Sequence, residues 1–354
     1  RIEHSQTSDL SIEPVTVLVP VLNEIDRLGP CLDGLRLQGK EVREIVLIDG
    51  GSTDGTQAMI RERANVDARI RLVDAAPVPD GVNGKAYGLM VGTATTSQEP
   101  DTDWLLIVDA DVRIRPGAVK AIVSHAQRSG LKSLSVATTQ RIHGSLLGLL
   151  HPSMLATLVY RFGIPGREID RIDEVQANGQ CFLVQRGLLE RAGGFQSVLG
   201  TIAEDVTLAR SFVELGEPIG FFEAHDLVEV EMYSDGRDAW RNWPRSLPLR
   251  DRHATWQSDV GLAEVLFVQA APPILFIVSA YLFGVRSAVA QLQVGLIFAR
   301  VGVLAGMRRA YFFRPWTYWL SPLADLPVTL EIIRRSRLKS HMWRGRTITS
   351  GDSS

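Results

Sequence analysis

The sequence predicts an α/β chain with a mainly parallel, doubly wound sheet, followed by C-terminal membrane helices. Three observations carry this. Up to about Leu249, β-branched runs alternate with helical stretches, as in strands joined by crossover helices. Acidic residues gather where three of those runs end. Beyond Val260 the composition shifts, and residues 265–285 carry no charge.

Val15–Val21, VTVLVPV, reads as a buried strand. A helix is expected over 24–37 and a second strand over 44–48, ending in Asp49-Gly50-Gly51. Ser52 or Thr53 is placed to cap a helix over 57–64. A third strand is expected over 70–73 and a helix over 84–96. A fourth strand, 104–108, runs into Asp109-Ala110-Asp111. Pro116 suits the first position of a further helix, and 134–138 reads as another strand. Residues 177–184 read as a strand crossing near the site. Gly179 there admits a close ligand or backbone, and Gln180 is taken as an acceptor-side residue. A helix over 205–215 opens with Glu204-Asp205.

Composition excludes several classes. Lys+Arg is 38 against Asp+Glu 40, so no basic excess points to nucleic acid. The 2 cysteines, Cys31 and Cys181, rule out a disulfide scaffold and read as buried thiols. No G-x-G-x-x-G follows the first strand, and Gly84-Lys85 lacks the spacing of a phosphate-binding P-loop. Residues 1–14 form a polar leader without a signal-peptide core.

Ligands of doubly wound sheets bind at the carboxyl ends of the strands, where these acids fall. Asp109 and Asp111, two apart at an extended strand end, share a side and can approach one ion. Their hard oxygens favour Mg²⁺ or Mn²⁺, which would bridge a diphosphate leaving group. Lys85 can give that diphosphate a second positive charge. His225 reads as a structural residue rather than a metal ligand.

PVLNE at 20–24, DGGSTDGT at 49–56, GKAYGL at 84–89, DAD at 109–111 and AED at 203–205 resemble, in order, the motifs of family 2 glycosyltransferases with the Rossmann-like GT-A fold. The resemblance covers roughly residues 15–233. It implies a nucleotide-sugar donor, a UDP-sugar, in a site that takes in Pro20 and Asn23. It places Asp49 on the uracil, Asp109 near the ribose and Asp111 on the metal. It also places Glu24 in the nucleoside pocket and makes Asp205 the general base, with Glu204 beside it. Inverting transfer needs such a base opposite a metal-held leaving group, and no covalent nucleophile. A helix start is expected to lower the Asp205 pKa and keep it ionised.

The rest of the chain suggests the acceptor. Polymer-forming relatives carry Q-x-x-R-W. Here Arg241 and Trp243 are not adjacent, and no Gln stands at the required offset. Arginines between 237 and 252, interleaved with Trp240 and Trp243 and including Arg245, predict an amphipathic interfacial segment that guides a lipid acceptor. Residues 145–162 read either as an interfacial helix at the acceptor's entry or as a core helix. Runs 265–285 and 288–307 are expected to span as a hairpin. The run 316–333, with Asp325, Glu331 and two prolines, is expected to be re-entrant or interfacial. Basic clusters at 308–314 and 334–346 place the catalytic domain and the tail on the cytoplasmic side, at a bacterial inner membrane.

The expected divisions are thus 1–14, 15–233, 234–259, 260–333 and 334–354. The pattern resembles enzymes that glycosylate carotenoids, hopanoid-associated lipids or ceramide. A polyprenyl-phosphate or polysaccharide acceptor stays open. So does a membrane-tethered protein that binds a nucleotide sugar without turnover, although Asp49, Asp109, Asp111 and Asp205 are all present.

Overall fold

Strands buried on both faces read as unbroken apolar runs, and those runs order the sheet here. The structure is a computed structural model and describes residues 1–3, 13–96, 104–201, 203–246, 255–336, 340–343 and 346–349. In chain order the first elements are β1 (Val15–Val21), α1 (Leu28–Arg36), β2 (Val42–Asp49), α2 (Thr56–Ala64), β3 (Ile70–Asp74), α3 (Gly84–Thr95), β4 (Trp104–Val108), β5 (Val112–Ile114), α4 (Ala118–Ser129) and β6 (Ser133–Ala137). There follow β7 (Thr139–Arg141), α5 (Ser145–Phe162), β8 (Arg167–Ile169), β9 (Cys181–Gln185), α6 (Arg186–Arg191), α7 (Glu204–Glu214), β10 (Ile219–Glu223) and β11 (Val228–Val230).

An 8-stranded sheet has the order β3-β2-β1-β4-β9-β6-β10-β8. The β3-β2, β2-β1, β1-β4 and β6-β10 pairs are parallel, so the mostly parallel α/β fold is as expected. Pro20 has no N–H to give, and it lies beyond Leu18, where the β1-β4 register ends. One face packs Val17, Leu47 and Leu106 against Leu32 of α1 and Ile122 of α4. The other packs Leu18, Ile48 and Leu105 against Leu89 of α3 and Phe212 of α7. Both cysteines are buried thiols.

This topology gathers the site. β1, β2 and β4 run parallel, so Glu24, Asp49 and Asp109 follow them onto one edge. β9 runs antiparallel to β4 with Cys181 opposite Val108, which brings the residues before β9 to that same edge.

The chain forms two compact units, and they divide it differently from the expected blocks. One holds Arg1–Thr139, Pro165–Met232 and Lys339–Ser354; the other holds Gln140–Ile164 and Tyr233–Leu338. The second unit contains α5, α8 (Gly236–Ser246), α9 (Thr255–Glu264), a π-helical stretch Val265–Ala270, α10 (Pro272–Phe283), α11 (Ala288–Met307), β12 (Tyr311–Phe313), a 3₁₀ stretch Trp316–Ala324 and α12 (Asp325–Ser336). The apolar α5 belongs here because it packs on α8, α12 and the 3₁₀ stretch. Within the expected tail, β13 (Ser340–Trp343) and β14 (Arg346–Thr349) pair as a hairpin.

Several expectations for this half are corrected. Run 265–285 is not one straight helix, because Trp256–Ala270 and Pro272–Phe283 meet at 64°. Pro272 and Pro273 have no N–H to continue the helical ladder. Among the described residues, one helix, Ala288–Ala310, is long and apolar enough to cross a membrane, or two if that bent pair makes one span. Trp243 is not interfacial: at 1% exposure it lies in the core, on the same face of α8 as Ala239. Trp240 is half-buried. The Arg245 side chain and residues 247–254 lie outside the described residues. Asp325 does not face apolar surroundings alone. It is buried against Arg300 at 2.7 Å, and it accepts from Ser153 Oγ at 2.6 Å and Gln269 Nε2 at 2.8 Å.

Candidate active site

The loops after β1 and β2 clasp each other. Asn23 takes a left-handed φ of 55°, which asparagine tolerates. Its N–H donates to Ser52 Oγ at 2.9 Å, and its Oδ1 accepts from Thr53 N at 2.9 Å. Ser52 is therefore not the cap of α2. That position falls to Gly55, while Asp54 accepts from Thr56 N at 3.0 Å. The backbone N–H of Glu24 donates to Thr56 Oγ1 at 2.9 Å, and its buried carboxylate pairs with Arg27 at 2.7 Å. Asp49 Oδ2 accepts from Gly51 N, Ser52 N and Gln57 Nε2 at 3.0, 2.9 and 2.7 Å. Asp49 Oδ1 is buried with no partner among the described residues.

Lys85 enters from the first turn of α3. Its Nζ lies 2.8 Å from Asp109 Oδ1 and 3.1 Å from Glu204 Oε1, and it donates to the Gly179 carbonyl at 3.2 Å. Gly179 N donates to Asp205 Oδ2 at 2.6 Å, and Val206 N donates to Asp205 Oδ1 at 2.9 Å. A Cβ on Gly179 would stand 2.9 Å from Lys85 Nζ and 3.0 Å from Asp205 Oδ2, so the absent side chain is what lets these groups meet. Burial pulls the Lys85 pKa down, but Asp109, Glu204 and Asp205 outweigh it and the ammonium is held firmly protonated.

Asp205 departs from the helix-start expectation. Burial and the neighbouring Glu204 push its pKa up to about 6, against the lowering effects of Lys85 and two backbone N–H donors. Local helix geometry therefore loses to desolvation and like charge.

Asp109-Ala110-Asp111 is a turn rather than an extended strand end, since Val112 N donates to the Asp109 carbonyl at 3.1 Å. Burial, then Asp109, raise the Asp111 pKa to about 7. Asp111 Oδ1 is buried and unpartnered among the described residues. A buried carboxylate oxygen without a donor is costly by itself and suits a hard cation. No three acidic, His or Cys residues among those described converge on a metal point. A fitting ion would thus take one or two carboxylates here and its remaining oxygens from phosphate and water, a pattern known for Mg²⁺. His225 Nδ1 instead lies 2.6 Å from Asp226 Oδ1.

Pro20, Glu24, Lys85, Asp109 and Asp111 line one cleft, with Gly50, next to Asp49, in its wall. Glu204 joins this group through Lys85, and Asp205 through Gly179. Gln180 is buried in the turn that precedes β9. Its Oε1 accepts from Thr138 Oγ1 and Asn178 Nδ2 at 2.7 and 3.0 Å, and its carbonyl accepts from Asp109 N at 3.1 Å. Trp240 and Trp243 belong to the second unit. The sequence reading missed Asn83, whose side chain reaches both Lys85 N and Glu204. An asparagine directly before a helix was the available signal. It also missed Gln57, whose contact with Asp49 had no such signal.

Known proteins resemble this chain in sequence and in fold. A 4,4'-diaponeurosporenoate glycosyltransferase of Staphylococcus aureus (strain MRSA252) is 24% identical over 249 residues, 69% of this chain. The chain spans 63% of that relative's length. The solved mannosyltransferase PcManGT from Pyrobaculum calidifontis, in complex with GDP-Man and Mn²⁺, is 20% identical. It aligns over 93% of this chain and 91% of its own, with a TM-score of 0.52, which shows a shared fold. The family described as Glycosyl transferase family 2 matches residues 16–192, with Glu204 and Asp205 lying beyond the match. Matched over half its residues, through the strands and loops that build the cleft, the chain belongs to glycosyl transferase family 2.

Proposed function

We propose that the chain transfers a sugar, with inversion, from a UDP-sugar to a lipid-borne hydroxyl or carboxylate at a membrane. The observation that carries this is the Lys85 bridge between Asp109 and Glu204, beside the unpartnered oxygen of Asp111. The bridge joins a donor-side acid to the helix that presents Asp205.

In this reading Asp49 Oδ1, buried and free to accept, takes an N–H of the nucleobase. Pro20, Asn23 and Glu24 shape the nucleoside end of the cleft. Lys85 sets a positive charge against the diphosphate. Asp111, with Asp109, would hold Mg²⁺ or Mn²⁺, which when bound neutralises charge on the departing diphosphate. A hydroxyl acceptor gives its proton to Asp205 as its oxygen bonds to the anomeric carbon and the bond to the diphosphate breaks. Gly179 N–H and Val206 N–H hold the Asp205 carboxylate in one orientation.

The lipid acceptor and the bilayer rest on the second unit and on the relatives. Phe283, Phe298, Trp316 and Leu323 are exposed there. Residues 265–324 contain no acid, and Arg308, Arg309 and Arg314 stand among the aromatics. Arginine beside exposed aromatics suits a lipid headgroup layer. The Staphylococcus relative is named for diaponeurosporenoate, and PcManGT was solved with a nucleotide sugar and Mn²⁺.

A screen of UDP-hexoses and GDP-mannose with extracted lipid, read by mass spectrometry, tests the proposal. The expected product is a lipid one hexose heavier, formed from a UDP-sugar. Transfer from GDP-mannose alone would overturn the uracil reading, and transfer only to soluble acceptors would overturn the lipid reading.

A further inference from the structure

Asn83 is 4% exposed and uses its whole side chain. Its Oδ1 accepts from Lys85 N at 3.0 Å and from Ala86 N at 3.1 Å, which caps α3. Its Nδ2 donates to the Thr201 carbonyl at 3.0 Å and to Glu204 Oε2 at 3.1 Å. An amide offers two lone pairs and two N–H donors, so all four are engaged. Its backbone N–H donates to the Leu199 carbonyl at 2.7 Å. Glu204 is thereby held by two residues of one turn, Oε2 by Asn83 and Oε1 by Lys85.

We infer that Asn83 is a positioning residue that fixes the distance between the donor-side cation Lys85 and the base Asp205, by tying the first turn of α3 to the first turn of α7. The inference rests on the proposed transfer reaction and adds to it a residue that touches no substrate. The requirement is chemical. Aspartate at this position would still cap α3, but it would set a carboxylate oxygen against Glu204 Oε2 and the Thr201 carbonyl. The helix would form, and the link between the two helices would turn repulsive.

A double-mutant cycle with full-length protein tests this. Asn83→Asp should still fold, melt earlier because the new carboxylate faces Glu204, and lower kcat by ~10²-fold, the scale of a ~1 Å misplacement. Donor KM should change little. In a Glu204→Gln background the same change should cost less than about tenfold, because the glutamine amide can donate to the new carboxylate. An equal loss in both backgrounds overturns the inference, as does a wild-type kcat for Asn83→Asp or a loss confined to donor KM. If Asn83→Asp does not fold, Asn83→Ser, which also caps the helix, enters the same cycle. Asp205→Asn is assayed in parallel: normal transfer by that variant would mean the base assignment has failed, while the cycle still reports on Asn83 and Glu204.

Discussion

The Lys85 ammonium lies 2.8 Å from the Asp109 carboxylate, although 24 positions separate them in the chain. The same ammonium meets Glu204 and sits beneath a residue that has no side chain. One cation thus offsets several acids, while Asp111 Oδ1, like Asp49 Oδ1, has no partner among the described residues.

Lys85→Met removes that offset. Stranding one side of a largely buried pair costs ~3–5 kcal/mol. The side chain of Asp109 is 29% exposed, so the lower end of that range is expected here. The variant should melt earlier and bind UDP more weakly, as read by thermal unfolding with and without nucleotide. Unchanged melting and UDP affinity would remove Lys85 from both roles.

Gly179→Ala probes the same contact more gently. The new Cβ would press on Lys85 Nζ, the far end of a flexible chain, which can swing aside. The fold should survive, while the Lys85–Asp109 contact is lost and kcat/KM falls by at least about tenfold, ~1.4 kcal/mol of transition-state stabilisation. Steady-state kinetics beside a melting curve separates the two effects.

Asp111→Asn removes the carboxylate charge best placed for a hard cation. UDP affinity in Mn²⁺ should fall by at least about tenfold, ~1.4 kcal/mol, and change little in EDTA. Isothermal titration of wild type in both buffers comes first. Equal affinity with and without metal would remove the metal assignment.

Asp205 gives a pH signature. A general base acts ionised, so transfer to a hydroxyl should rise with pH through about 6, where the buried carboxylate titrates. Asp205→Asn should lose ~10²–10⁴-fold in rate and keep donor binding. Stability carries the opposite sign. A carboxylate with a raised native pKa favours the fold most below its ordinary range, and that contribution is lost as pH rises through about 6. Asp205→Asn should therefore melt higher than wild type at pH 8, by on the order of 1–2 kcal/mol. Scans at pH 4 and 8 test this.

Arg300 and Asp325 form the deepest ion pair among the described residues of the second unit, both buried. Arg300→Met strands the aspartate and should destabilise by ~3–5 kcal/mol. Arg300→Met with Asp325→Leu should recover most of the loss, because apolar packing can replace a buried pair. Unfolding in detergent compares the two. An additive double variant would mean that Ser153 and Gln269, not Arg300, hold Asp325.

Much of the catalytic unit was determined by the sequence alone, because strand runs, turn glycines and the acids that end strands are local properties. β1 to β4 fall within a few residues of their expected bounds, and Asp49, Asp109 and Asp111 reach one edge because parallel strands share a direction. The tertiary structure alone decided features that depend on distant neighbours. Asn83 became part of the site only when Glu204, the first residue of α7, came within hydrogen-bond reach of the start of α3. The Asp205 pKa rose because burial and Glu204 outweighed its helix start. Trp243 went into the core rather than the interface because α8 packs on α5, and Asp325 was accommodated by an arginine 25 positions earlier. Periodicity records which face of an element is apolar. What that face or a buried charge meets is set by packing between segments far apart in the chain.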